Sequence, residues 1–123
     1  MKIFIFGNED LQMDSLPLRI LPRLKKDFPE VDFVTVDPNE EWDVPEEVFV
    51  IDTAVGIKDV TVFDSLDKFS ASPRVGMHDF DALTNLIYLQ KLGKIKSVKI
   101  IAIPPEMGEM EAVKKISEIL QKM

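Results

Sequence analysis

Short apolar runs alternate along this chain with stretches in which apolar residues recur at helical spacing. Five runs predict β-strands, at residues 2–6, 31–36, 48–51, 60–63 and 98–103. The run 48–51 is apolar throughout, which is typical of a strand that is buried on both faces.

Three segments predict helices. Asp14 and Ser15 suit an N-cap, Pro17 fits a first helical turn, and Pro22 is expected to bend the helix or delay its start. A second helix is predicted from residue 79 to Gly93, and a third over Glu109–Gln121. The first helix is marked by Leu18, Leu21 and Leu24. The apolar residues expected to face inward in the third helix are Val113, Ile116, Ile119 and Leu120.

Strands separated by helices predict an α/β fold with a mostly parallel sheet and helices on both faces. The 123 residues fit a single domain spanning 1–123. The segments 37–47 and 68–77 are predicted to be loops.

Composition narrows the classes of function. Cysteine is absent, which excludes disulfides, zinc–thiolate sites and a cysteine nucleophile. The net charge of −7 argues against a nucleic-acid partner. No apolar run predicts a membrane span and no signal peptide is visible, so we expect a cytoplasmic location.

Three residues suggest a metal-contacting site. His78, the only histidine, precedes the second predicted helix, while Asp14 precedes the first helix and Asp52 follows the run 48–51. Two carboxylates and one imidazole can bind a divalent transition metal, and nickel accepts both donor types. The alternative is that Asp14, Asp52 and Asp79 are ordinary helix-capping and loop residues.

The motifs around these residues resemble those of the hydrogenase maturation endopeptidases. Gly7-Asn8 follows the first strand, Asp14 is the eighth residue from that glycine, and Leu18-Arg19 opens the helix. The other two motifs are Val50-Ile51-Asp52-Thr53-Ala54 at a central strand and the histidine loop Ser72-Pro73-Arg74-Val75-Gly76-Met77-His78-Asp79-Phe80.

The resemblance implies a protease that removes the C-terminal extension of a nickel-iron hydrogenase large-subunit precursor after nickel insertion. Asp14, Asp52 and His78 are then both the metal-contacting and the catalytic residues. Nickel is supplied by the substrate and serves as the recognition signal.

The residues themselves leave the nucleophile open. With one histidine and several serines, a serine triad combined with independent metal binding is disfavoured, and metal-polarised attack by water is preferred. A non-catalytic α/β module that kept the fold and binds a metal or a partner is the main alternative. A phosphate or nucleotide binder is weaker, because Gly7 lacks a glycine-rich loop around it.

Overall fold

The computed structural model describes residues 2–7, 10, 15–35, 46–64, 74–75 and 90–122. Within these ranges the chain forms six strands and two helices. The elements are β1 (Lys2–Ile5), α1 (Leu16–Asp27), β2 (Asp32–Thr35), β3 (Glu47–Val55), β4 (Thr61–Phe63), β5 (Arg74–Val75), β6 (Ser97–Ile103) and α2 (Glu109–Gln121).

The main sheet has the strand order β2-β1-β3-β6-β4, with β3 in the centre. The pairs β1–β2, β1–β3 and β3–β6 are parallel, while the edge strand β4 runs antiparallel to β6. β5 forms a short antiparallel pair with the end of β3. The predicted α/β class with a mostly parallel sheet is therefore confirmed.

Both faces of this sheet are buried. Strand alternation assigns Phe49 and Ile51 to one face and Val48 and Val50 to the other. The first face packs against α1 and α2 in a core that includes Ile3, Ile5, Leu16, Ile20, Leu24, Phe33, Ile101, Ile103, Ala112, Ile116 and Leu120. The second face carries Phe4, Phe6, Ala54, Ile95, Val98, Ile100 and Ala102, all at most 5% exposed.

The helix α1 begins at Leu16 in spite of its internal proline. Ser15 occupies the N-cap and Pro17 lies in the first turn, as expected. The prediction that Pro22 delays the start is wrong, because the helix runs unbroken through it. Pro22 is exposed, so its ring lies on the side away from the core.

The ends of the other two predicted helices can also be compared with the structure. The helix α2 has the predicted limits, although Ile119 is only partly buried. Of the second predicted helix only the end is described: Gln90 and Lys91 are helical, and Gly93 follows with a φ of 78°. A positive φ is the usual conformation of a glycine that ends a helix.

Two predictions around β3 need correction. The strand extends to Val55, four residues beyond the predicted end at Ile51, because Asp52 and Thr53 continue the parallel pairing with β6. Within the predicted loop 68–77, Arg74 and Val75 form β5. This pairing is a tertiary contact, and the apolar pattern carries no signal for it.

Neither described helix is long and apolar enough to cross a bilayer.

Leu24→Ala should lower the free energy of unfolding by about 2–5 kcal/mol, because it leaves a cavity between α1 and the sheet. Leu24 is fully buried, at 0% exposure. Leu92, at 53% exposure, provides the control, and Leu92→Ala should change stability by less than about 0.5 kcal/mol. Urea denaturation followed by circular dichroism measures both, and equal effects would contradict this account of the core.

Candidate functional site

The candidate site lies at the carboxyl edge of the parallel sheet. Ile5, the last residue of β1, pairs with Ile51, and Ile103, the last residue of β6, pairs with Thr53. Asp52 lies between these two levels, opposite Ala102. In the register of the sheet, Asp52 thus lies one position past the last residue of β1 and one position before the last residue of β6.

The strand order reverses at this position. From β1 the chain continues to β2 on one side, whereas β3 lies on the other side of β1. In open α/β sheets, ligands bind outside the carboxyl ends of the strands where the order reverses. Asp52 is therefore at the position where a site is expected from topology alone.

Asp52 is an acid in an apolar row. Strand alternation assigns it to the same face as Val48, Val50 and Ala54, and its side chain is 1% exposed. Its Oδ1 accepts a hydrogen bond of 2.8 Å from the backbone N–H of Thr53. Burying a carboxylate among apolar side chains is costly unless hydrogen bonds or charges compensate for it.

The start of α1 lies at the same edge. Because β1 and β2 are parallel, α1 runs back across the sheet and begins near the carboxyl ends of the strands. Ser15, 7% exposed, is the residue at that position. Its carbonyl oxygen accepts hydrogen bonds of 3.0 Å from the N–H groups of both Leu18 and Arg19. Asp14 directly precedes this serine in the sequence.

The strand β5 joins the histidine loop to the end of β3. Val75 pairs with Ala54, which is two positions after Asp52. His78 follows Val75 by three positions in the sequence. The backbone that leads to His78 therefore starts beside the end of the strand that carries Asp52.

Of the three predicted site residues, Asp52 is described, and Asp14 and His78 lie outside the described residues. Their convergence stays a prediction. What the described chain adds is that their sequence neighbours, Ser15 and Val75, belong to elements that meet the carboxyl edge. Within the described ranges no three His, Asp or Glu side chains group together in a way that could hold a metal ion.

Two polar contacts at this edge were not anticipated from the sequence. Arg19 donates from Nε to Ser15 Oγ at 3.1 Å, and its Nη1 lies 3.6 Å from Glu109 Oε2. Lys115 Nζ donates to Asp59 Oδ1 at 2.6 Å. The first contact could have been predicted, because residues four apart are neighbours on a helix surface. The second joins residues 56 positions apart, and no local pattern indicates it.

The contact between Asp59 and Lys115 ties the connection after β3 to α2. This connection turns at Gly56, whose φ of 93° favours glycine. The pKa of Asp59 is held below 3.8, first by the hydrogen bond from Lys115 and then by that from the N–H of Val60. The same hydrogen bond raises the pKa of Lys115 above 10.5.

A separate groove of about 530 Å³ lies between α1 and α2 and does not include Asp52. Its floor contains Ile20 and Val113. Its charged residues balance, with Arg19, Arg23 and Lys114 against Asp27, Glu109 and Glu111. The groove therefore has no net charge that would select an acidic or a basic ligand.

Two solved structures have folds similar to this chain. Hydrogenase maturating endopeptidase HybD from Escherichia coli matches with a TM-score of 0.64 and 15% identity, over 99% of this chain and 93% of that one. An endopeptidase from Escherichia coli, determined in solution, matches with a TM-score of 0.59 and 15% identity, over 99% of this chain and 88% of that one. No family model and no curated protein matches the sequence.

The fold is thus that of a small α/β endopeptidase, with an acid at the strand-order reversal. More particularly, it is the fold of a hydrogenase maturation endopeptidase. The resemblance inferred from the sequence motifs is therefore confirmed for the fold. At 15% identity the structural likeness establishes the fold alone.

Asp52→Asn separates a functional from a structural origin of the buried acid. The amide oxygen can still accept from Thr53 and the side chain keeps its shape, so the free energy of unfolding should change by less than about 1 kcal/mol. Urea denaturation measures this change. A loss of more than about 2 kcal/mol would identify Asp52 as a structural residue.

Lys115→Met should lower the thermal midpoint at about pH 7, and this difference from the unmodified protein should disappear towards about pH 2. The folded-state pKa of Asp59 is depressed, so its contribution is present above 3.8 and is lost as the pH falls through the lower folded value. Thermal melts across this range measure the difference. Lys114→Met is the matched control, because Lys114 has no ion pair with any residue of the described ranges, and it should show no such pH dependence. The same dependence in both variants would contradict the assignment.

Proposed function

We propose that this protein is an endopeptidase that removes the C-terminal extension of a nickel-iron hydrogenase large-subunit precursor after nickel has entered that subunit. In this proposal Asp14, Asp52 and His78 contact the nickel of the precursor. The metal belongs to the substrate and reports that the precursor is ready for cleavage. The expected cytoplasmic location belongs to the same proposal.

One observation carries the proposal. Asp52, an acid in an otherwise apolar row, lies at the reversal of strand order in a sheet with the fold of HybD. Ligands in open α/β sheets tend to bind where the strand order reverses, and the sequence motif independently selects the acid at that place. The motif and the fold thus agree on one residue.

The neighbours of the other two residues support the set. Ser15, next to Asp14, begins α1 at this edge, and Val75, three positions before His78, pairs beside the end of β3. A neutral imidazole and two carboxylates suit a divalent transition metal.

The proposed reaction is hydrolysis of a peptide bond. Nickel in the precursor supplies a Lewis acid near the scissile carbonyl group. A water molecule adds to the carbonyl carbon, the C–N bond breaks, and the leaving amine takes up a proton. Asp14, Asp52 and His78 hold the metal end of the precursor so that this bond is correctly placed.

The burial of Asp52 sets a condition on this mechanism. Asp52 is only 1% exposed. A metal ion held by another protein can therefore reach its carboxylate only if the surrounding residues move. Precursor binding should therefore be coupled to a local rearrangement at the carboxyl edge.

The same burial is the observation that favours the second candidate function. A non-catalytic module that kept the fold would retain Asp52 as an internal acceptor for the N–H of Thr53. Such a module would bind a metal or a partner without cleaving it. Cleavage of the precursor separates the two candidates directly.

Cleavage should require nickel in the precursor, and His78→Ala should abolish it. The purified protein is incubated with nickel-loaded and nickel-free large-subunit precursor, and loss of the extension is followed by mass spectrometry. Removing the imidazole takes away one of three proposed metal contacts.

Glu106→Gln is the control, because this exposed acid lies in the segment after β6 and has no role in the proposed set. It should leave cleavage unchanged. Equal cleavage of loaded and nickel-free precursor, or full activity of the His78→Ala variant, would refute the proposal. Binding of the loaded precursor without cleavage would support the non-catalytic alternative.

A further inference from the structure

The N-cap serine of α1 does not make the usual capping contact. At this position a serine hydroxyl normally accepts from a backbone N–H of the first turn. Ser15 makes no such side-chain cap, and its Oγ accepts instead from Nε of Arg19, at 3.1 Å. A guanidinium, one turn further along, thus contacts the start of the helix.

The same guanidinium also contacts α2. Its Nη1 lies 3.6 Å from Oε2 of Glu109, the first residue of that helix. Acidic side chains are favoured at this end of a helix by the helix dipole. The planar, five-donor guanidinium can engage both groups at once, which the single ammonium of a lysine does not reproduce.

These contacts contribute little to overall stability. The side chains of Arg19 and Glu109 are 42% and 54% exposed, and ion pairs exposed to this degree are weak. Their effect is geometric: they connect the N-cap residue of α1 to the first residue of α2, and both helices begin at the carboxyl edge. Only one peptide bond separates Ser15 from Asp14.

We propose that Arg19 is a positioning residue: by holding Ser15 against the start of α2, it sets the place of Asp14 relative to the rest of the site. The functional part of this inference rests on the proposed function, in which Asp14 contacts nickel of the precursor. The structural part concerns the free protein and stands without it.

The free protein is tested first. In Arg19→Met, the backbone N–H groups of Leu18 and Arg19, which donate to the carbonyl of Ser15, should exchange with solvent faster. The amide NMR signals of Asp14 and Ser15 should shift. Arg23→Met is the matched control, since Arg23 lies one turn away on α1 and pairs with Asp27 at 3.3 Å. Unchanged exchange and signals in Arg19→Met would overturn the inference.

Binding of the nickel-loaded precursor is tested next. Arg19→Met should weaken it by about tenfold, Arg19→Lys by less, and Arg23→Met should leave it unchanged. Because Arg19 acts through Asp14, Arg19→Met should cause no further loss in an Asp14→Asn background. Full additivity of the two substitutions would overturn the inference.

The two failures can be distinguished. If the unmodified protein neither binds nor cleaves the loaded precursor, the proposed function fails. The exchange and NMR measurements then still decide whether Arg19 holds Ser15 and Asp14 in place.

Discussion

The register of β3 between its two parallel neighbours is the constraint on which the rest of the structure depends. Val50 pairs with both Phe4 of β1 and Ile100 of β6, so the central strand is held from both sides. A slip of one residue would exchange the two faces of the strand. Asp52 would then turn towards the helices α1 and α2, away from the row of Val48 and Val50. Burial of apolar side chains on both faces thus sets the direction of Asp52, the buried acid of the strand.

This arrangement gives the acid an unusual setting. Asp52 lies at the boundary between the packed sheet and the segments that leave its carboxyl edge. In an environment of low polarity, interactions of a carboxylate with a cation are stronger than in water. The fold therefore combines a position that topology makes suitable for ligands with surroundings that strengthen charge recognition.

The sequence was sufficient for the elements that local patterns determine, and insufficient for those that depend on distant partners. The limits of α2 follow from its periodicity and the start of β1 from its apolar run, while β3 begins at Glu47, one residue before its apolar run. The extension of β3 through Thr53 was missed because its hydrogen-bond partners lie in β6. β5 was missed because two residues carry no periodicity. Of the site, only the place of Asp52 near the carboxyl ends of the strands is seen, while its role and the places of Asp14 and His78 stay predictions.

The core beneath α1 has a consequence for how the chain folds. Leu16 and Ile116 belong to this one core and are 100 positions apart in the sequence. This core cannot be completed until a long loop has closed, and contacts between such distant segments slow folding in comparison with helical bundles of local contacts. Until α2 docks, the part of this core to which Ala112, Ile116 and Leu120 belong is incomplete, so an unfinished chain exposes an apolar surface that is prone to self-association.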